Sequence, residues 1–268
     1  MKKILALMLT LALALPFASC EKDNSNDITN DDGQQNVVEN LQEEENEVTD
    51  ENNDQNAEEN VQEEADTAVM SYAEFTEAAI DSEVTVETYV QAKQSWWDNK
   101  GTFYTQSEDG AYFLYEMPCT EEEYNKLVPG TKIRVTGYKA EWSGEVEIVD
   151  AKYEIFEGEY IAEAFDATAL LGTDELVNHQ NKLALFKGMT VKAVEYKNEA
   201  PGDDIYVTLG LGEADYEFCV EVYLTGVDSD VYTTVGSLNV GDIVDVEAFL
   251  YWYNGANPHI YSIAVAAE

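Results

Sequence analysis

Arginine occurs once in this sequence, at Arg134, and histidine only twice, at His179 and His259. In all, 14 basic residues face 55 acidic ones, giving a net charge of −41. Binding nucleic acid requires phosphate charge to be neutralised, so this composition disfavours nucleic acid and anionic membrane surfaces. It favours cations or basic partners, and it also serves plain solubility. Cysteine is scarce as well: Cys20, Cys119 and Cys219 are the full set. They form no CxxC pair and no Cys/His spacing, so no zinc site is read. Neither histidine lies near a motif serine or cysteine, which leaves Ser-His-Asp and Cys-His chemistry without support. No glycine loop of the phosphate-cradling kind occurs. Acidic residues are so abundant that naming any two as a glycosidase pair carries no information. The sequence therefore assigns no catalytic residue, no metal ligand and no cofactor, and it reads as a non-enzyme.

Long apolar runs are missing too, apart from Ile4–Leu15. That run is too short to span a bilayer as a mature helix, and Lys2 and Lys3 precede it as a charged n-region. Phe17-Ala18-Ser19-Cys20 closes the segment with small residues before a cysteine. This pattern resembles the lipobox of bacterial lipoproteins, although Phe17 stands where leucine is usual. The resemblance covers residues 1–20 and implies acylation of Cys20, a lipid anchor and an extracytoplasmic location. Cys119 and Cys219 then remain as a disulfide pair or, more simply, as two buried thiols.

Residues 21–68 contain 18 acids, one lysine and no aromatic side chain. Such a segment cannot bury enough apolar surface to offset chain entropy, so it reads as a disordered tether with a span of about 40 Å. At Ser71 the composition changes.

The chain then writes one pattern twice. Leu127–Asp150 and Leu238–Ile263 each give a glycine turn, an alternating strand, a second turn ending in glycine, and another strand. Gly130 matches Gly241, Ile133 matches Val244, Val135 matches Val246, Tyr138 matches Phe249, Trp142 matches Tyr253 and Gly144 matches Gly255, all at one spacing. Ser71-x-x-Glu74 and Thr120-x-x-Glu123 are capping boxes that open short helices. The first region reads as three strands, a helix and two strands, and the second repeats that order. This order resembles the OB-fold, a five-stranded Greek-key barrel with a helix between its third and fourth strands. The resulting expectation is mainly β: two tandem OB-fold-like barrels in residues 69–156 and 188–268, joined by a helical connector in 157–187. Phe165–Leu171 and Thr173–His179 are the connector's expected helices. His179 on that connector and His259 in the last hairpin read as surface or capping residues.

The OB-fold resemblance implies ligand contacts on strands two and three and on the loops after strands one and four. In the first region those loops hold Trp96, Trp97 and Trp142, and the matching turn of the second holds Trp252 and Tyr253. Exposed loop aromatics form stacking platforms for sugars, bases or apolar side chains. They also serve as plugs for a barrel end or as packing between domains. These five residues are the candidate ligand-binding set, for a glycan or an envelope protein. A purely structural envelope protein and an OB-type nucleic-acid binder are the alternatives. Against the latter, the first region sets six bases against twelve acids between Val84 and Asp150. Gly202-Asp203-Asp204 and Asp228-Ser229-Asp230 lack the spacing of a calcium loop and read as ordinary acidic turns.

Overall fold

The computed structural model describes residues 68–266. Cys20, the apolar run before it and nearly all of the acidic segment lie outside those residues. Among the described residues, no helix is long and apolar enough to cross a membrane.

The first barrel begins with α1 (Tyr72–Glu77), whose capping box is formed as the sequence predicts. Ser71 accepts from the Glu74 N–H, and the Glu74 carboxylate accepts from the Ser71 N–H at 2.8 Å. The strands are β1 (Glu83–Lys93), β2 (Lys100–Gln106), β3 (Ala111–Pro118), β4 (Thr131–Trp142) and β5 (Glu145–Glu159), with α2 (Glu121–Lys126) between β3 and β4. They close in the order β1-β2-β3-β5-β4, and β3 runs parallel to β5. Val84, Val86, Ile133, Val135 and Ile148 point inward and are fully buried with Phe103 and Leu114. Lys139 is buried on the same barrel and donates to the carbonyls of Phe75, Thr76 and Ala78 at 2.8–3.0 Å. It thereby satisfies the C-terminal carbonyls of α1 and fixes that helix to the barrel.

The second barrel has β7 (Leu183–Tyr196), β8 (Ile205–Leu211), β9 (Ala214–Val220), α3 (Val222–Thr225), α4 (Asp230–Gly236), β10 (Ile243–Phe249) and β11 (His259–Val265). Its strands run β10-β11-β9-β8-β7, and β10 also pairs with β7, so the ring returns on itself in the same order as the first. The fold is two OB-like barrels. Gly130 and Gly241 hold equivalent turns: φ is +91° and +102°, and their N–H groups reach Val90 O and Val191 O at 2.8 and 2.9 Å.

The connector departs from the helices expected of it. Phe165–Asp166 is a short strand, β6, that pairs in parallel with Ala184 and Leu185 of β7. Only 3-10 turns follow, at Thr168–Leu170 and Leu176–His179. The Asp166 carboxylate accepts from both the Thr168 N–H and its hydroxyl, which draws the backbone into a local turn instead of a helix. Gly172, at φ +74°, separates the two turns, and Leu171 and Leu176 are pulled into the second core.

A third apolar cluster joins the barrels. Ala92, Tyr104 and Phe113 of the first pack against Leu183 and Phe249 of the second. Tyr104 stacks on Phe249 with ring centroids 4.5 Å apart. This explains one unequal pair in the repeat. Tyr138 is 44% exposed, whereas its counterpart Phe249 is 1% exposed because the other barrel covers it.

Candidate functional site

The loop between β1 and β2 is a tight hairpin. Trp97 and Lys100 exchange backbone hydrogen bonds at 3.0 and 2.9 Å, and Asp98 and Asn99 both take positive φ, 46° and 59°. That conformation suits a two-residue turn whose residues tolerate the left-handed region. It lifts Trp97 into solvent, 75% exposed. Trp96 turns the other way: its Nε1–H donates to Cys119 O at 3.0 Å, and the ring packs on the first core.

A second wall comes from the other barrel. The Ser95 N–H donates to Tyr223 O at 2.8 Å, which ties the hairpin to α3. Tyr223 is 62% exposed and Tyr115, on β3, is 43% exposed. Trp96, Trp97, Tyr115 and Tyr223 line a groove of about 360 Å³. Its polar groups are Gln94, Ser95, Thr102 and the Lys100–Glu116 ion pair, 2.7 Å apart. Lys100 holds the Glu116 carboxyl below its ordinary range. At neutral pH the groove thus offers aromatic faces, an amide, hydroxyls and a balanced charge pair.

The other three candidates lie elsewhere. Trp142 and Tyr253, 52% and 50% exposed, pair at 5.2 Å where the two final hairpin turns meet. There the Asn254 N–H donates to Ser143 O at 2.7 Å. Trp252 is half-buried against the second core and lines a separate cavity beside Tyr216 and Pro258. Sequence reasoning therefore locates Trp96 and Trp97 in the groove but misses Tyr115 and Tyr223. Tyr115 follows the outward alternation of β3 and was open to that argument. Tyr223 reaches the groove only through the packing of one barrel on the other, which no local pattern records.

Behind the groove, the seam between the barrels holds ionisable groups taken out of water. Burial pushes the Glu145 carboxyl up to about 8, although one oxygen accepts from the Trp252 N–H at 2.9 Å. Its other oxygen has no partner. Burial raises Glu147 to about 7, helped by Glu116, and raises Glu221 to about 7, helped by Asp204. His259 is not a surface residue: it is 6% exposed, and burial lowers it to about 3. The chain turns it inward because Tyr104 meets it and Tyr251 stacks on it, with ring centroids 4.3 Å apart. His179 is half-buried against Phe165, 4.9 Å between rings. Perturbed carboxyls of this sort mark functional sites in many proteins, but Glu145 is wholly enclosed and no reactant reaches it.

Both remaining cysteines are free thiols, buried and held protonated by that burial. Asp203 and Asp204 bind the Lys197 ammonium at 3.2 and 2.9 Å, and Ser229 caps α4. Both acidic motifs thus have local turn and capping work. Among the described residues, no three His, Cys, Asp or Glu side chains are grouped to hold a metal ion.

No family model matches this chain, and no curated protein does. Solved structures do. A murine DNA-binding protein bound to double-stranded DNA is 13% identical, with TM-score 0.33, covering 69% of this chain and 97% of its own. The Ifi202 HINa domain in complex with 20bp double-stranded DNA is 14% identical, with TM-score 0.30, covering 70% and 99%. A replication protein A heterotrimer bound to single-stranded DNA is 11% identical, with TM-score 0.28, covering 69% and 49%.

Proposed function

We propose that this chain is a lipid-anchored, non-catalytic binding module of the bacterial envelope, and that its ligand is a glycan. The observation that carries the reading is the groove shared by the two barrels, in which Trp97 and Tyr223 stand 75% and 62% exposed. A single exposed ring is ordinary, but exposed rings gathered in one groove mark an interaction surface. Rigid aromatic faces with a few fixed polar groups recognise sugar rings, whose faces are apolar and whose edges carry hydroxyls. The loop is held by hydrogen bonds at both ends, so little ordering remains to be done on binding. Location outside the cytoplasm follows from the lipobox-like segment ending at Cys20.

Nucleic acid is the second reading, because OB-type barrels take strands on the face of strands two and three. In the first barrel that face carries Tyr104 and Phe113, and the second barrel covers both. The one lysine lining the groove, Lys100, is already paired with Glu116. These facts favour the glycan.

Screening the full chain in detergent against a glycan array and a labelled single-stranded oligonucleotide decides between them. The expected result is a glycan signal that falls about tenfold or more in Trp97→Ala and in Tyr223→Ala, with no oligonucleotide binding at physiological salt. Oligonucleotide binding that weakens steeply with salt would overturn the glycan reading. So would glycan binding that neither variant changes.

A further inference from the structure

The two barrels differ where their third and fifth strands meet. In the first, β3 and β5 pair at Phe113–Glu147 and Leu114–Ile148. In the second, β9 touches β11 at one position only, His259–Cys219. There the Cys219 N–H donates to Pro258 O at 3.0 Å. Backbone polar groups alternate in direction along a strand, so the N–H and C=O groups of Glu217 and Asp215 face the same way as those of Cys219. The opposite direction is used by β8, which pairs with β9 from Ala214 through Val220. Before Pro258 the chain swings away through the turn at Trp252–Ala256, and β9 gains no partner on that side among the described residues.

A cavity of about 520 Å³ fills the gap, with Trp252, Ala256 and Pro258 on one side and Leu171, Leu176 and Phe218 among its apolar lining. Its rim carries Asp174, Asp215 and Glu217, all exposed, and its lining contains no lysine, arginine or histidine. An open strand edge is a template for another chain, and an apolar recess beside it takes an alternate side chain of the added strand.

We propose that the outer edge of β9, Ala214–Phe218, is a docking site for an extended cationic peptide segment of another protein, which adds a strand there and sets an apolar side chain into the adjoining cavity between flanking lysines or arginines. The edge offers two N–H donors and two carbonyl acceptors, at Asp215 and Glu217. The acidic rim selects positive charge on either side of the buried residue, and like charge across this ring is disfavoured. A second copy of this strongly acidic chain is a poor occupant for the same reason. The site is built from the second barrel and the connector segment packed on it, and it shares no lining residue with the glycan groove, so it stands independently of that groove.

The test uses the full chain in detergent and a labelled probe peptide, Ac-TTKLKTT-NH2, whose leucine and flanking lysines point to opposite faces of the added strand, as Phe218 and Glu217 do on β9. The expected result is saturable binding, slowed amide exchange across Ala214–Phe218, and loss of about tenfold in affinity with a Glu217→Lys, Asp215→Lys double variant. Both positions are exposed, so the variant should keep its fold. Ala256→Trp, which fills the cavity from its rim, should weaken the same peptide. A probe N-methylated at alternate residues should fail to bind, because it cannot complete the strand ladder. Equal binding of the N-methylated probe, undiminished binding to the charge-reversed variant, or no binding at millimolar peptide would each overturn the proposal. So would self-association of the chain through this edge, seen by sedimentation without peptide.

Discussion

The Tyr104 hydroxyl and His259 Nδ1 lie 2.7 Å apart, one from each barrel, in a space closed to solvent. Burial holds the tyrosine protonated and the imidazole neutral. The two groups share one hydrogen bond, and the imidazole tautomer sets which of them donates. Burial places His259 at about 3 in the folded chain, below its ordinary 6.5. The unfolded chain consequently binds a proton more readily at this position, and the contribution of His259 to stability falls as pH drops from 6.5 towards 3. Tyr104→Phe leaves Nδ1 buried without its hydrogen-bond partner and should cost about 1–3 kcal/mol. Chemical denaturation at pH 7 measures the cost of the substitution, and NMR titration of the His259 ring, which should stay neutral at pH 4.5 in the folded chain, checks the shift. A variant as stable as the parent at pH 7 would contradict the stated cost.

Glu145 works in the opposite direction. Its folded value is raised from 4.5 to about 8, so the folded chain holds that proton where the unfolded one has lost it. Its contribution is fully present below pH 4.5 and is lost as pH rises through about 8. Glu147 and Glu221, raised to about 7, act in the same sense. Glu145→Gln keeps an acceptor for the Trp252 N–H and removes the buried charge. The variant should melt higher than the parent at pH 9 and close to it at pH 5. A variant that melts lower at both pH values would show that the carboxylate itself supports the seam.

Much of the fold was legible, and the reasons are local. Alternation at Val84, Val86, Ile133 and Val135 marks strands that are buried on one face, and the capping boxes at Ser71 and Thr120 mark helix starts. The repeat of Gly130 at Gly241 announced the second barrel. What could not be read depends on how the barrels meet. Phe249 and Leu183 are buried where the neighbouring barrel packs on them, and His259 is buried between Tyr104 of that barrel and Tyr251 of its own. The groove divides along the same line. Trp96 and Trp97 were findable from loop position, while Tyr223 came into reach through the Ser95–Tyr223 bond. The supposed connector helices failed because Asp166 and Thr168 bond to each other and Phe165 finds a strand partner.

The anchor has a direct check. If Cys20 is acylated, Cys20→Ala should leave the membrane fraction and appear soluble, since one apolar run that short gives no stable span. Fractionation of cells expressing each form reads the result. Retention of the variant in the membrane as firmly as the parent would remove the lipid from the account.

Gly130 and Gly241 offer the sharpest comparison between the barrels. Both sit at positive φ, which an L side chain opposes. A Cβ on Gly130 would also come within 3.1 Å of the Glu159 side chain, whereas a Cβ on Gly241 meets nothing within 4 Å. Gly241→Ala should therefore cost about 1 kcal/mol from backbone strain alone, and Gly130→Ala should cost more. The third cluster, with Tyr104 stacked on Phe249, couples the barrels. Each substitution should accordingly move one shared thermal transition and not split it in two. Calorimetry of the two variants measures both quantities. Two separate transitions, with only one displaced by each variant, would mean that the barrels unfold independently despite their common seam. Equal losses at the two glycines would mean that the Glu159 side chain moves aside at no cost.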